Sequence, residues 1–284
     1  MFSVPILNNW LRSLGRFLGV VLTLTLLGTG CSKTPVTNRT QYNLIPDGLI
    51  RPIGSSTYDE MLSGAAVEKG TRDSDRLRTV GKRIAKVANK RSYKWRFALI
   101  DDETINAWCL PGGKIAFYKG ILPVLENEAG MAFVTGHEVG HAVAHHGAER
   151  LTQQLTVLGG LAALYLYIDD RDQMDEDKRS MLLAALGLGA EVGVLLPFSR
   201  RHEKEADIIG MMYMARAGYP PEESLEVWNR MRKISGRSLL PTFLSTHPSH
   251  RKRKDNLRSW MRNAQKRYRR NQRDEDSLRT IWRP

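Results

Sequence analysis

Cysteine is nearly absent: Cys31 and Cys109 are the two thiols of a 284-residue chain. A disulfide-stapled scaffold is thereby excluded, and acylation of Cys31 would leave no intrachain disulfide at all; Cys109 reads as a small core hydrophobe in a strand. Also missing is an uninterrupted apolar run of the roughly twenty residues that a helical membrane span needs. The stretch "LTVLGGLAALYLYI" (155–168) is too short, and "MLLAALGLGAEVGVLLPF" (181–198) carries Glu191 and several glycines. Internal repeats and coiled-coil heptads are absent as well. Acid is the scarcer charge, with 30 Asp and Glu against 43 Lys and Arg and a net charge of +13. A chain of this length has room for one substantial domain, or two small ones, with an ordinary buried core.

The first thirty residues contain Arg12 and Arg16 and no acid, then the apolar run "FLGVVLTLTLL" (17–27), then "GTGC". That order is the layout of a secretory signal. Cys31 after "GTG" resembles a lipobox, in which the cysteine is lipidated, although Gly28 stands where Leu, Val or Ile is commonest; plain secretion and an uncleaved anchor are the alternatives. Ser32 in place of aspartate points to the outer membrane, facing the periplasm. Residues 1–30 are therefore expected to be a signal peptide, and 31–57, rich in Thr, Pro, Asn and Gly, a tether.

The expected main domain runs from 58 to 255. "DSDRLRTVGKRIAKVANK" places Leu77, Val80, Ile84 and Val87 at helical spacing. "WRFALID" (95–101), "NAWCL" and "KIAFYKG" (within 106–120) read as short strands, the last two separated by Pro111-Gly112-Gly113. The stretches 155–168 and 181–198 read as a helical hairpin, with fixed core, active-site lid and membrane-touching face as competing roles. From Arg251 onward thirteen Lys and Arg face four Asp and Glu. Residues 256–284 are expected to form a basic amphipathic tail whose anionic partners rank nucleic acid last. Its apolar face, Leu257, Trp260, Met261, Ala264 and Tyr268, suits either a membrane interface or packing back onto the domain.

"GHEVGHAVAHHGAER" (136–150) gathers four histidines. Residues four apart share a helix face, so His137 and His141 can aim both imidazoles at one ion, with Glu138 placed to take a proton from an activated water. On a continuous helix His145 lies about 6 Å further along the axis and cannot join them. The neighbours Ala132, Phe133, Val134, Val139, Ala142 and Val143 make this an apolar helix, carried in the core rather than on the surface. In "SRRHEKEADIIG" (199–210), Glu203 and Asp207 are again four apart. Glu203 can complete a His₂Glu set, and Asp207 can accept a hydrogen bond from the outer nitrogen of a ligand histidine. His145, His146, His202 and His250 read as structural or solvent-facing, and Lys204 and Glu205 as part of a solvated helix start.

With "NAWCLPGGKIAFYKGIL", "GHEVGHAVAHH", "SRRHEKEAD" and "FLSTHPSHRKR" in this order, residues 75–255 resemble the zinc metallopeptidase family that groups the CAAX prenyl endopeptidases, the HtpX-like proteases and periplasmic proteases of the LoiP and BepA type. The resemblance implies an α+β, mainly helical gluzincin-type fold with a small sheet beside the HExxH helix. It implies one zinc per chain on His137, His141 and Glu203, with Glu138 as general base and Asp207 behind the ligands. Asn106 to Tyr118 is similar to the family's active-site edge strand, which pairs with an extended substrate, and makes Asn106, Ala107, Trp108, Pro111, Gly112 and Gly113 the expected contacts. Trp108 and Cys109 stand where other apolar residues are common.

His247 resembles a family histidine that approaches the metal, either as a blocking fourth ligand or as a donor to the oxyanion; a plain turn histidine is the third possibility. The function implied is hydrolysis of unfolded or misassembled envelope proteins. The alternative from another class is a lipid-anchored scaffold or chaperone-like protein with a latent zinc site.

Overall fold

The computed structural model describes residues 31–171, 177, 180, 181, 184, 186, 196–235, 242–247 and 251–281. The expected signal peptide, residues 1–30, and most of the second apolar stretch lie outside the described residues. In chain order the elements are β1 (Cys31–Lys33), β2 (Thr40–Tyr42), α1 (Asp47–Ser63), β3 (Val67–Glu68), α2 (Arg72–Ala88), β4 (Arg96–Ile100), β5 (Ala107–Leu110) and β6 (Lys114–Tyr118). They continue with α3 (Leu122–Leu125), α4 (Glu128–Val143), α5 (His146–Arg171), α6 (Leu196–Arg216), α7 (Glu223–Ser235), α8 (Thr242–Thr246) and α9 (Arg251–Ile281). This is the mainly helical α+β fold that the sequence predicts.

The main sheet has the order β3-β4-β6-β5, with β4 and β6 parallel and the other two pairs antiparallel. Alternation along β6 sends Ile115 and Phe117 into the larger core and Ala116 to the opposite face. Tyr58 of α1 covers that opposite face, packing with its Ala98, Ile100 and partly buried Trp108. The sequence of β6 is apolar on consecutive positions because both faces are covered. β5 forms one edge of the sheet and β3 the other. The expected edge stretch from Asn106 to Tyr118 is thus divided: β5 holds the edge, Pro111 to Gly113 form the turn, and β6 lies inside the sheet. Gly112 and Gly113 adopt φ of +82° and +81°, and a Cβ on Gly113 would press into the Trp95 ring at 2.5 Å.

α2 forms where the periodicity puts it. Thr71 caps its start by accepting a hydrogen bond from the Ser74 amide at 3.2 Å, and Leu77, Val80 and Ile84 are completely buried. α4 is capped by Asn127, whose side chain accepts from the Gly130 amide at 2.9 Å. It is buried along nearly its whole length against α2, α6 and β5.

One segment departs from its expected role, and the C-terminal stretch takes one of the two expected for it. Residues 31–57 are built into the domain rather than strung out as a tether: Thr34 and Gln41 are buried, Arg39 is ion-paired to α5 and α6, and α1 roofs the sheet. The basic C-terminal stretch belongs to α9, whose Leu257 and Ala264 are fully buried and whose Trp260, Met261 and Tyr268 pack on the same core. Burial in the domain outweighs a membrane interface for that face. Stretch 155–168 lies in α5, where Leu155 and Leu158 are exposed. Among the described residues no helix is long and apolar enough to cross a membrane.

Candidate metal centre

α4 and α6 cross in close contact, which places "HEVGH" of one against "EKEAD" of the other. His137 and Glu203 are almost completely buried and His141 is partly so. His137 Nε2 and His141 Nε2 are 3.0 Å apart. Glu203 brings Oε2 to 3.4 Å from the first and Oε1 to 3.3 Å from the second. A tetrahedral shell with ligand bonds of about 2.0–2.1 Å has edges of about 3.3 Å, and each histidine nitrogen lies near that distance from one of the two Glu203 oxygens. Buried Glu138 Oε1 and Glu203 Oε1 make no hydrogen bond within the protein, as fits carboxylates facing a reacting centre or a cation. The donor set therefore fits a divalent metal with a preference for nitrogen and carboxylate.

His247, at the end of α8, completes the cluster. Its Nδ1 is 3.0 Å from Glu203 Oε2 and 3.2 Å from His137 Nε2, and its Nε2 is 3.5 Å from Glu138 Oε1. One donor atom each from His137, His141, Glu203 and His247 falls within 4.8 Å of all the others. Stacking on Phe243, with ring centroids 4.6 Å apart, fixes the His247 ring.

Behind His137, Asp207 Oδ1 accepts from Nδ1 at 3.0 Å, which leaves the Nε2 lone pair facing the centre. Asp207 is clasped by Arg253 of α9, with Nε donating to Oδ2 at 2.6 Å and Nη2 to Oδ1 at 2.7 Å. Arg253 also reaches Glu203 Oε2 at 3.2 Å, donates to the His247 carbonyl and lies 3.9 Å above the Trp228 ring. Sequence reasoning missed Arg253, one basic residue in a run of them.

Burial pushes the Glu138 carboxyl up to about 7, the nearby imidazole of His247 opposing the shift. Burial acts on Glu203 in the same sense, yet the surrounding His141, His137 and His247 hold it well below the usual carboxylate range. Burial drives His141 well below the ordinary imidazole value, favouring the neutral form that a ligand needs.

α4 ends at Val143, and His145 takes φ of +53° in the turn before α5. The break removes His145 from the ligand face, and it contacts Asp47 and Lys90 instead. It also swings His146 back under His141. His146 and His202 are buried, the structural of the two places expected for them; Glu205 is buried rather than solvated, and Lys204 is exposed. His250 lies outside the described residues. Of the expected substrate contacts, Asn106 and Ala107 are buried, while Trp108 meets Tyr58 edge-on at 5.8 Å. Cys109 is a free thiol packed beside the core.

The sequence profile of peptidase family M48 matches residues 71–261. The chain is 34% identical over 241 residues to the mitochondrial metalloendopeptidase OMA1 of Schizosaccharomyces pombe, a match covering 81% of this chain and 66% of the relative. It is 31% identical over 278 residues to the Saccharomyces cerevisiae protein of the same name, covering 86% and 75% respectively. With the Escherichia coli β-barrel assembly-enhancing protease it shares 27% identity over 187 residues, 61% of this chain and 35% of that one. The matched part thus ranges from about a third to three quarters of these relatives' length.

Proposed function

Because the chain belongs to peptidase family M48, we propose that it is a zinc-dependent endopeptidase with His137, His141 and Glu203 as metal ligands and Glu138 as general base. The observation that carries this is the convergence of three donors from two helices at 3.0–3.4 Å, with the buried Glu138 carboxyl nearby, its Oε1 accepting no hydrogen bond. Zinc supplies a Lewis acid that polarises the scissile carbonyl and lowers the pKa of water to about 7. Glu138 takes the proton as the water oxygen adds to the carbonyl carbon. The same carboxyl then returns a proton to the amide nitrogen as the C–N bond breaks, so no covalent enzyme intermediate forms. A carboxyl held up by burial suits a group that must both accept and give a proton near neutrality. Asp207 and Arg253 keep His137 in the ligating tautomer. The edge of β5 can take an extended substrate by main-chain pairing, which favours broad sequence tolerance.

His247 gives this reading a latent resting state. With Nδ1 beside Glu203 and His137, it would serve as a fourth ligand to a bound metal and would have to be displaced before turnover. The same observation is what favours the rival reading, a scaffold whose zinc site stays closed.

Substrates in this proposal are unfolded or misassembled proteins of a bacterial envelope, with Cys31 as a lipid anchor at the outer membrane. Support comes from the signal-like residues 1–31 and from a relative named for β-barrel assembly. Other relatives are named as mitochondrial, so the compartment rests on the N-terminal sequence. Cleavage of unfolded casein tests the activity: loss on chelation and return with stoichiometric zinc are expected. Cleavage that survives complete metal removal would reject it.

A further inference from the structure

We propose that His146 is a positioning residue for the metal ligand His141, held by Glu205, and that Arg39 locks this pair, making segment 31–43 part of the metal centre's support. The inference rests on the assignment of His141 as a ligand.

His141 Nδ1 and His146 Nδ1 are 2.9 Å apart, so one of the two must donate. His146 Nε2 lies 3.1 Å from Glu205 Oε2. A carboxylate only accepts, which puts the His146 proton on Nε2 and leaves its Nδ1 lone pair facing His141. His141 then carries its proton on Nδ1 and presents the Nε2 lone pair to the centre, where His137 Nε2 is 3.0 Å away. This is the tautomer a ligand needs, imposed from behind. His141 lacks the aspartate that serves His137, and a second imidazole in the turn after α4 takes its place.

The support continues outward. Glu205 receives Arg39 Nε at 2.7 Å and Thr34 Oγ1 at 2.6 Å, and Thr37 Oγ1 also donates to it. The rest of the Arg39 guanidinium forms a two-bond clasp on Glu149, 2.7 Å for each bond. Glu149 also accepts from His202 Nε2 at 3.0 Å, and the His202 ring stacks on His146 with centroids 4.3 Å apart and planes 13° from parallel. The two ligand histidines thus rest on matching chains, His137–Asp207–Arg253 and His141–His146–Glu205–Arg39. The first ends on α9 and the second on the N-terminal segment. Three of the four groups that hold Glu205 come from residues 34–39, so undocking that segment would loosen His141.

The test measures zinc affinity of the full chain by competition with a chromophoric chelator, and the absorption spectrum of the cobalt-substituted protein, for wild type, His146→Ala, His146→Gln and Arg39→Met. Loss of an outer partner typically weakens metal binding by about 10–100-fold. His146→Ala is expected to fall in that range with an altered cobalt spectrum. Gln keeps one acceptor and one donor and should recover most of the loss; Arg39→Met should weaken binding less than His146→Ala. Zinc affinity within about twofold of wild type and an unchanged cobalt spectrum in His146→Ala would overturn the proposal. If that variant does not fold, unchanged affinity and spectrum in Arg39→Met would do so. Undiminished zinc binding by His141→Ala would instead overturn the ligand assignment, and the proposal with it.

Discussion

Gly136 of α4 and Gly210 of α6 touch backbone to backbone. A Cβ on Gly210 would lie 2.7 Å from the His137 nitrogen, and one on Gly136 would lie 2.8 Å from the Gly210 carbonyl oxygen. Neither neighbour is a flexible side chain that can swing aside. The missing side chains are what let the helices come close enough for Glu203 and Asp207 to reach His137. Gly210→Ala should therefore cost about 1–3 kcal/mol of stability and weaken zinc binding together. Urea unfolding and a zinc titration check it; an alanine variant matching wild type in both would show that the helices have room to spare.

Arg253 answers two buried carboxylates, Asp207 and Glu203, in a site with almost no solvent. Replacing it with Met keeps the chain length and removes the charge. Breaking a buried pair leaves an uncompensated charge, so the metal-free protein should lose about 3–5 kcal/mol. Chemical denaturation in the presence of chelator measures this directly, and a loss below about 1 kcal/mol would mean that the carboxylates find other partners.

Acid should undock the N-terminal segment. Burial alone would raise the Glu149 carboxyl, but His202 and Arg39 hold it down to about 2, against an ordinary 4.5. A carboxyl depressed in the folded state contributes stability that is fully present above about 4.5 and fades as pH falls toward 2. Wild type should accordingly lose more stability between pH 5 and 3 than Glu149→Gln, read from urea midpoints. Parallel pH profiles would refute it.

His247→Ala opens the corner beside Glu203. If His247 holds the centre shut, casein cleavage should rise severalfold while zinc remains bound. A fall in rate at unchanged zinc content would assign His247 to assisting the reaction instead.

How far the sequence reached follows from how local each feature is. His137 with His141, and Glu203 with Asp207, each lie within one helix, so a four-residue spacing was enough to place them on shared faces. α2 was legible for the same reason. His146 was not, because the helix breaks at His145, a non-glycine residue in a left-handed conformation. Arg253 is one basic residue among thirteen from Arg251 onward, and nothing local separates it from the exposed ones. Residues 31–57 read as a tether because their composition is loop-like. The partners that order Arg39 are Glu149 and Glu205, 110 and 166 positions away.

The most direct test of the central claim pairs zinc content with cleavage in Glu138→Gln. One zinc per chain, retained at wild-type affinity, with casein cleavage abolished, is the predicted result if Glu138 moves protons and does not hold the metal. Cleavage by the variant at the wild-type rate would contradict the account.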